Sequence, residues 1–266
     1  MSQCSAENVE LKEAVDVLGL PVRPYCIDEF IETLIARTAA GLRTRVCYLN
    51  AYTFNLARRN SAMWHALAGA DLLYADGQSI VWAARMLGRR LPERMTSADY
   101  FARFARRCAE SDLSLFLLGG EADVAHRAAG ALCGEIRGLR VAGAHGGYFG
   151  DEASDGMIDA INGSGADVLT VGLGSPRQEL WLAQHAARLR PALLWCVGAQ
   201  FDYLAGCERR APTWLRERGC EWVYRLWRDP LRKWRRYVPG NAAFVLHVLR
   251  EMVRARRGGV AWPRTG

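Results

Sequence analysis

The chain has 266 residues, of which 50% are hydrophobic, and a formal net charge of +7 at pH 7. This length and composition are those of a globular protein with one domain or two small ones, which excludes a disordered or fibrous chain. The N-terminal sequence SQCSAENVELKEAV lacks the basic start and apolar core of a signal peptide, and no apolar run approaches the roughly 18 residues of a membrane span, so we expect a cytoplasmic protein.

Strand and helix patterns alternate along most of the sequence. After an N-terminal segment at residues 9–24, the predicted elements are a helix at 27–40, a strand at 45–50, a helix at 52–67, a strand at 70–74, helices at 78–87 and 96–110, and strands at 113–118, 139–142, 168–171 and 193–197 with helices between them. This alternation predicts an α/β fold with a parallel sheet that is covered by helices on both faces.

A strand, a glycine turn and a helix start follow one another in the sequence ADVLTVGLGSPRQELW. The strand leads into Gly172 and Gly174, Ser175 is the predicted N-cap, Pro176 takes the first helical position, and Gln178 follows the cap at capping-box spacing. Free N–H groups and the positive end of the helix dipole at such a turn favour a bound phosphate. A capped connection without any ligand has the same pattern, so both interpretations stay open.

Polar residues at the ends of two predicted strands are candidates for chemistry. Asp76 follows the strand at 70–74 and precedes Gly77, at the edge where open α/β sheets place their active sites, so its carboxylate is a candidate general base. Asn50 ends the strand before it, and Arg94 in PERMTS is a candidate phosphate ligand. Asp-Gly and Asn are also common in turns, and single arginines are commonly surface groups.

Positive charge is concentrated near the C-terminus. Residues 208–257 contain 14 Arg and Lys against 5 Asp and Glu, whereas the rest of the chain has 21 against 23. Apolar residues, several of them tryptophans, recur at helical spacing among these arginines, in a predicted helix at 221–229 that Pro230 ends and in another at 241–257. A basic face beside tryptophans is typical of an interfacial helix on an anionic membrane, although a docked helix with solvated arginines fits as well.

Several common signatures are missing from the sequence. It contains no Asp-x-Asp for a metal diphosphate, no phosphate-binding P-loop and no hydrolase elbow, and its five histidines have no metal-ligand spacing. The eight cysteines form no C-x-x-C pair, so we expect free thiols. Arg177 replaces the last glycine of a dinucleotide fingerprint, which weakens the case for an NAD-dependent oxidoreductase. We therefore predict neither a metal nor a cofactor.

One ordered series of motifs resembles a known family. The segments YLNAYTFNLARRN, ADLLYADGQSIVWAARMLG, ERMTSADYF, FLLGG, VGLGSPRQELW and EWVYRLWRDPLRKWRRY resemble, in this order, the WecG/TagA/CpsF family of bacterial glycosyltransferases. The resemblance covers about residues 15–249. It implies an inverting, metal-independent transfer of a sugar from a UDP-sugar to a polyprenyl-diphosphate-linked acceptor during synthesis of exopolysaccharide or another surface polysaccharide.

The family also implies a domain division and a location. A Rossmann-like catalytic domain is expected over residues 1–210, and a basic appendage over 211–266 that docks on the anionic cytoplasmic face of the inner membrane and helps to complete the site. UDP-glucose is the favoured donor, and UDP-ManNAc and UDP-ManNAcA are alternatives within the family. From other classes, an NAD-dependent oxidoreductase and a nucleic-acid-binding protein with a basic tail remain alternatives.

Roles of single residues follow from the resemblance. Asp76 matches the family's proposed base, and Asn50, Arg94 and Gln178 match its active-site Asn, Arg and Gln. An inverting transfer needs one carboxylate to accept the proton of the acceptor hydroxyl, and a cationic or N–H-lined site to stabilise the departing UDP. Asp76 is the predicted proton acceptor.

The resemblance also assigns three arginines and shows two departures. Arg225, Arg232 and Arg235 match appendage arginines that are proposed to contact the diphosphate. Tyr48 stands where the family often has Thr, and MTSAD follows Arg94 where a glycine is common. Because a phenol fills space that a threonine leaves open, we expect Tyr48 to alter the donor or acceptor pocket.

Overall fold

Eight strands form one sheet in the computed structural model, which describes residues 9–121 and 123–257 but not the side chains of Asp151, Glu217, Arg232, Arg256 and Arg257. The strands are β1 (Val15–Val17), β2 (Leu20–Val22), β3 (Thr44–Leu49), β4 (Leu72–Ala75), β5 (Ser114–Gly119), β6 (Arg140–His145), β7 (Val168–Gly172) and β8 (Leu193–Cys196). Their order is β1-β2-β4-β3-β8-β7-β5-β6, and every pair except β1–β2 is parallel. This mostly parallel sheet, with helices between its strands, confirms the predicted Rossmann-like α/β fold.

Helices connect most of these strands. They are α1 (Ile27–Ala39), α2 (Ala51–Ala57), α3 (Ser61–Ala68), α4 (Gln78–Met86), α5 (Ser97–Glu110), α6 (Val124–Glu135), α7 (Ser154–Gly163), α8 (Arg177–His185), α9 (Gln200–Leu204), α10 (Thr213–Glu217), α11 (Glu221–Arg228) and α12 (Pro230–Arg257). The apolar runs of β3, β4, β5, β7 and β8 are buried because helices cover the sheet.

Two predicted helix boundaries are wrong. The helix predicted at 52–67 is two helices, because Asn60 accepts a hydrogen bond from the N–H of Met63 at 3.0 Å and so caps α3 as a new helix. The helix predicted to begin at residue 241 begins at Pro230, so that α12 continues through Pro239. Proline usually interrupts a helix because it lacks an N–H, but α12 is continuous at Pro239.

The N-terminal segment contains a hairpin that the sequence did not predict. β1 and β2 are antiparallel and have only three residues each. Their turn lies at Leu18 and Gly19, which both have positive φ. Such short strands give too few alternating residues for a recognisable period.

The C-terminal helix α12 packs on α2. Phe244 and Val248 of α12 are buried, and the Phe244 ring meets Phe54 of α2 edge-on with the ring centroids 5.6 Å apart. Asn55 Nδ2 donates to the carbonyl of Gly240 at 2.7 Å. None of the described helices is both long enough and apolar enough to cross a lipid bilayer. One apolar face of α12 is therefore used for contact within the protein.

Candidate active site

Asn50 and Asp76 are brought together by the pairing of β3 with β4. Leu49 lies opposite Ala75 in this parallel pair, so the residues that follow each strand lie side by side at the carboxyl edge of the sheet. Asn50 caps α2, because its Oδ1 accepts from the N–H groups of Tyr52 and Thr53 at 3.0 Å each. With Oδ1 occupied, Nδ2 donates to Asp76 Oδ2 at 2.9 Å. Helix capping thus orients the amide donor toward the carboxylate.

Asp76 is a half-buried carboxylate with a perturbed proton affinity. Burial raises its pKa above the ordinary value, while the hydrogen bond from Asn50, the positive charge of Arg225 and a hydrogen bond from Thr96 oppose that rise. A carboxylate with a raised pKa is a better proton acceptor than an exposed one. The arrangement suits general-base chemistry.

A cavity of about 400 Å³ opens at this pair, between residues 50–96 and residues 219–248. Its polar side includes Asn50, Asp76, Arg94, Thr96, Glu221, Arg225 and Arg236. Its apolar side includes Trp82, Met86, Trp222, Phe244, Val245 and Val248 from α4, α11 and α12. The site therefore joins a carboxylate and several cations to an apolar wall.

Arg94 lines the cavity and also ties the appendage to α5. Its Nη2 donates to Asp99 Oδ2 at 3.0 Å, and its Nη1 donates to the carbonyl of Arg216 at 2.9 Å. Asp99 Oδ1 also receives Arg210 at 2.9 Å and Arg216 at 2.8 Å. One carboxylate thus holds three arginines, two of which lie at or beside the start of the appendage.

Arg225 lines the cavity as an ion-paired cation. Its Nη2 lies 2.8 Å from Glu221 Oε1, and Arg210 lies 3.3 Å from the other oxygen of Glu221. Although burial opposes it, the charges of Arg225 and Arg210 hold the pKa of Glu221 below its ordinary value. Glu221 is therefore ionised, and it neutralises part of the positive charge of the site.

The other appendage arginines differ in position. Arg235 is exposed, stacks 5.7 Å from the Trp234 ring centroid and does not line the cavity. Arg232 lies in α12, but its side chain is outside the described part of the chain. Arg236 lines the cavity, with its guanidinium carbon 4.2 Å from the ring centroid of Tyr52.

The predicted capping role of Ser175 is wrong. The structure places Pro176 at the N-cap, and the hydroxyl of Ser175 instead donates to Glu179 Oε1 at 2.7 Å and lies 3.2 Å from the Tyr48 hydroxyl. The N–H of Gln178 donates to the carbonyl of Gly174 at 2.9 Å. This N–H is thus occupied within the turn, and none of these residues lines the cavity.

Tyr48 and Gln178 form a buried connection between β3 and the start of α8. Gln178 is fully buried, and its Nε2 donates to the Tyr48 hydroxyl at 3.0 Å. Its Oε1 accepts from the N–H of Gly198 at 3.2 Å. Because Tyr48 reaches from β3 across to the turn after β7, it contacts that turn rather than the open space of the cavity. Gly172 lies at the end of β7, and it too is outside the lining residues.

Sequence reasoning missed Thr96, Glu221, Arg236 and the apolar wall. Tyr237 lies seven residues before Phe244, so the two residues share one face of α12. Extending the helix predicted after residue 241 toward the N-terminus would have placed Tyr237 on the predicted apolar face. Within the described residues, no group of three or more His, Cys, Asp and Glu side chains is arranged to hold a metal ion. The seven described cysteines are free, as expected; Cys47, Cys108 and Cys196 are buried.

A family model described as Glycosyl transferase WecG/TagA/CpsF family matches residues 15–258, which is nearly the whole chain. The match includes Asn50 and Asp76 and extends to residue 258. The cavity therefore lies entirely between segments that belong to this family match.

Proposed function

Since the chain belongs to the WecG/TagA/CpsF family of glycosyltransferases, we propose that it transfers a sugar from a UDP-sugar to a polyprenyl-diphosphate-linked saccharide in the synthesis of a surface polysaccharide such as an exopolysaccharide. The observation that carries this proposal is the Asn50–Asp76 pair at the base of a cavity that also presents arginines and an apolar wall. We propose UDP-glucose as the donor, with UDP-ManNAc and UDP-ManNAcA as alternatives. Family membership favours a transferase over the NAD-dependent oxidoreductase and the nucleic-acid-binding protein.

The proposed reaction inverts the anomeric centre. The acceptor hydroxyl oxygen attacks the anomeric carbon while its proton passes to Asp76, and the bond from that carbon to the diphosphate oxygen breaks with its electron pair leaving on UDP. Asn50 holds the carboxylate in place, and Arg94 and Arg225 stabilise the charge on the leaving group. The arginines supply this stabilisation without a metal ion. A further set of residues supports the donor side of the site, namely Tyr48, Gly172, Gly174, Ser175 and Gln178. Arg232 and Arg235 extend the positive surface.

The apolar wall and the exposed surface of the appendage support a lipid-linked acceptor. Trp82, Met86 and Trp222 line the cavity and are 53%, 41% and 39% exposed, so an apolar chain that enters there loses contact with water. We propose that residues 211–257 dock on the anionic cytoplasmic face of the membrane, with the catalytic domain over 1–210, so that the acceptor reaches the cavity from the bilayer.

A donor screen with a defined acceptor tests the proposal. The purified chain is incubated with a short-chain prenyl-diphosphate-linked saccharide and each UDP-sugar in turn, and the product is analysed by mass spectrometry and by NMR of its anomeric proton. We expect one UDP-sugar to give an inverted product at the same rate with and without EDTA. A retained anomeric configuration would contradict the inverting step, and a strict requirement for Mg²⁺ or Mn²⁺ would contradict metal independence.

The same preparation tests the alternatives. Protection of the fold by NADH in a thermal melt, with no UDP-sugar turnover, would support the oxidoreductase. Tight binding of duplex DNA with a steep salt dependence, again without turnover, would support the nucleic-acid binder.

A further inference from the structure

Among the described residues that line the cavity, one arginine has no carboxylate partner. Its described lining includes Arg94, Arg225 and Arg236. Arg94 is paired with Asp99 and Arg225 with Glu221. Among the described residues, no carboxylate forms an ion pair with Arg236, and its buried Nε, like that of Arg225, has no hydrogen-bond partner. Arg236 is therefore the lining cation with the most unused capacity to bind an anion.

Aromatic rings hold this guanidinium at the cavity. Its carbon lies 4.2 Å from the centroid of the Tyr52 ring and 5.4 Å from that of Tyr237. Both tyrosines line the same cavity. Tyr52 is in the first turn of α2, and its N–H donates to Oδ1 of Asn50, the residue that orients Asp76. Arg236 and the carboxylate are thus positioned by the same helix start.

We propose that Arg236 binds the diphosphate of a substrate in this cavity and that it does so in place of Arg235. A planar guanidinium offers paired N–H donors that match two phosphate oxygens, and contact with an aromatic ring keeps that plane oriented. Arg235, its neighbour in sequence, is exposed and lies outside the cavity. The inference rests on the proposed function. A diphosphate reaches the site from two sources in that reaction, the nucleotide donor and the prenyl acceptor.

Calorimetric titrations with UDP, uridine and farnesyl diphosphate test the assignment. Arg236→Gln is compared with Arg235→Gln, the competing assignment, and with Arg250→Gln, which removes an exposed charge from the same helix outside the cavity. We expect Arg236→Gln to weaken binding of at least one diphosphate about 10-fold to 100-fold, as for loss of hydrogen bonds to a charged group, with uridine unaffected. Arg235→Gln and Arg250→Gln should leave all three affinities close to wild type, and Arg236→Lys should lie between.

The pattern of losses identifies the source of the diphosphate. A loss for UDP alone assigns Arg236 to the donor, and a loss for farnesyl diphosphate alone assigns it to the acceptor. Unchanged affinity of Arg236→Gln for both diphosphates, or an equal loss in Arg235→Gln, would overturn the inference. A wild-type chain that binds farnesyl diphosphate but not UDP contradicts the proposed donor while still testing Arg236. Wild type that binds neither diphosphate overturns both proposals.

A second pair of variants separates binding from folding. Tyr52→Phe retains the ring beneath the guanidinium, whereas Tyr52→Leu removes it. If Arg236 is the ligand, Tyr52→Leu weakens diphosphate binding several-fold more than Tyr52→Phe, with both variants keeping the wild-type melting temperature within a few degrees. Equal diphosphate affinity in the two variants would contradict the role of the ring in holding Arg236.

Discussion

Asn50 Nδ2 donates to Asp76 Oδ2 at 2.9 Å because Oδ1 of the same amide is occupied in capping α2. The cap and the contact with the carboxylate are therefore two uses of one side chain. This arrangement aligns the proposed base with the helix whose first turn also carries Tyr52. We expect a change at Asn50 or Asp76 to affect proton transfer more than it affects the fold.

Replacing the proposed base should abolish catalysis and spare binding. We expect Asp76→Asn to lower kcat by about 10²-fold to 10⁴-fold, since the change removes the proton acceptor and keeps the side-chain shape. Affinity for UDP should stay within a few-fold of wild type. Turnover with the best UDP-sugar and calorimetry with UDP measure the two effects. Asp159→Asn, an exposed change in α7, is the control; near-normal turnover by Asp76→Asn would end the assignment of the base.

The acid limb of the pH profile should report the environment of Asp76. Burial raises the pKa of Asp76 and the hydrogen bond from Asn50 holds it down, and the base acts only when ionised, so activity falls as pH drops through that pKa. Asn50→Asp keeps a capping oxygen but replaces the donor with a second carboxylate, which favours the protonated form of Asp76. The acid limb of kcat/KM should therefore move to higher pH, with activity partly restored in alkaline buffer.

A matched change tests whether capping alone explains that shift. Asn60→Asp makes the same substitution at the N-cap of α3, where the side chain accepts from Met63. We expect its pH profile to match wild type. An unshifted acid limb in Asn50→Asp, or the same shift in Asn60→Asp, would show that Asn50 does not tune the base.

Removing the carboxylate that holds three arginines should loosen the appendage. Asp99 is 19% exposed and pairs with Arg94, Arg210 and Arg216. Asp99→Asn should cost about 3 kcal/mol in the free energy of unfolding, the low end for breaking a buried ion pair. Limited proteolysis should then cut faster between residues 210 and 221, and activity should fall with it. Asp28→Asn, which loses an exposed pair with Arg103, should cost less than about 1 kcal/mol; equal costs would contradict a special role for Asp99.

Membrane binding should depend on exposed apolar residues of the appendage. Trp227 and Leu231 are 75% and 88% exposed. Trp227→Ser or Leu231→Ser should weaken co-sedimentation with anionic vesicles about 10-fold, corresponding to roughly 1.5 kcal/mol of lost apolar burial, at low and high salt alike. Loss of Arg228, which is also exposed, should weaken binding mainly at low salt. Tyr148→Ser removes an aromatic that is 80% exposed outside residues 211–257 and should have no effect; an equal loss in that variant would argue against docking by residues 211–257.

Local patterns in the sequence were sufficient for the sheet and for its polar edge. Short apolar runs predicted β3, β4, β5, β7 and β8 to within a few residues, because a strand buried on both faces must be apolar throughout. Asn50 and Asp76 end two such runs, so their place at the carboxyl edge followed from strand direction alone. The family resemblance rests on the same segments, and the family match confirms it.

Which side chains face the cavity depends on contacts that form only in the folded chain. Arg235 and Arg236 are adjacent in a basic run, and the direction of each depends on the phase of α12. This helix begins at Pro230, whereas the sequence predicted a helix only from residue 241. Gln178 was predicted near an anion, but Tyr48 reaches it from another strand and its amide is buried. Composition and spacing determine which polar and charged side chains are available. Helix phase and contacts between distant segments determine which of these side chains share a site, because those contacts form only when the chain is folded.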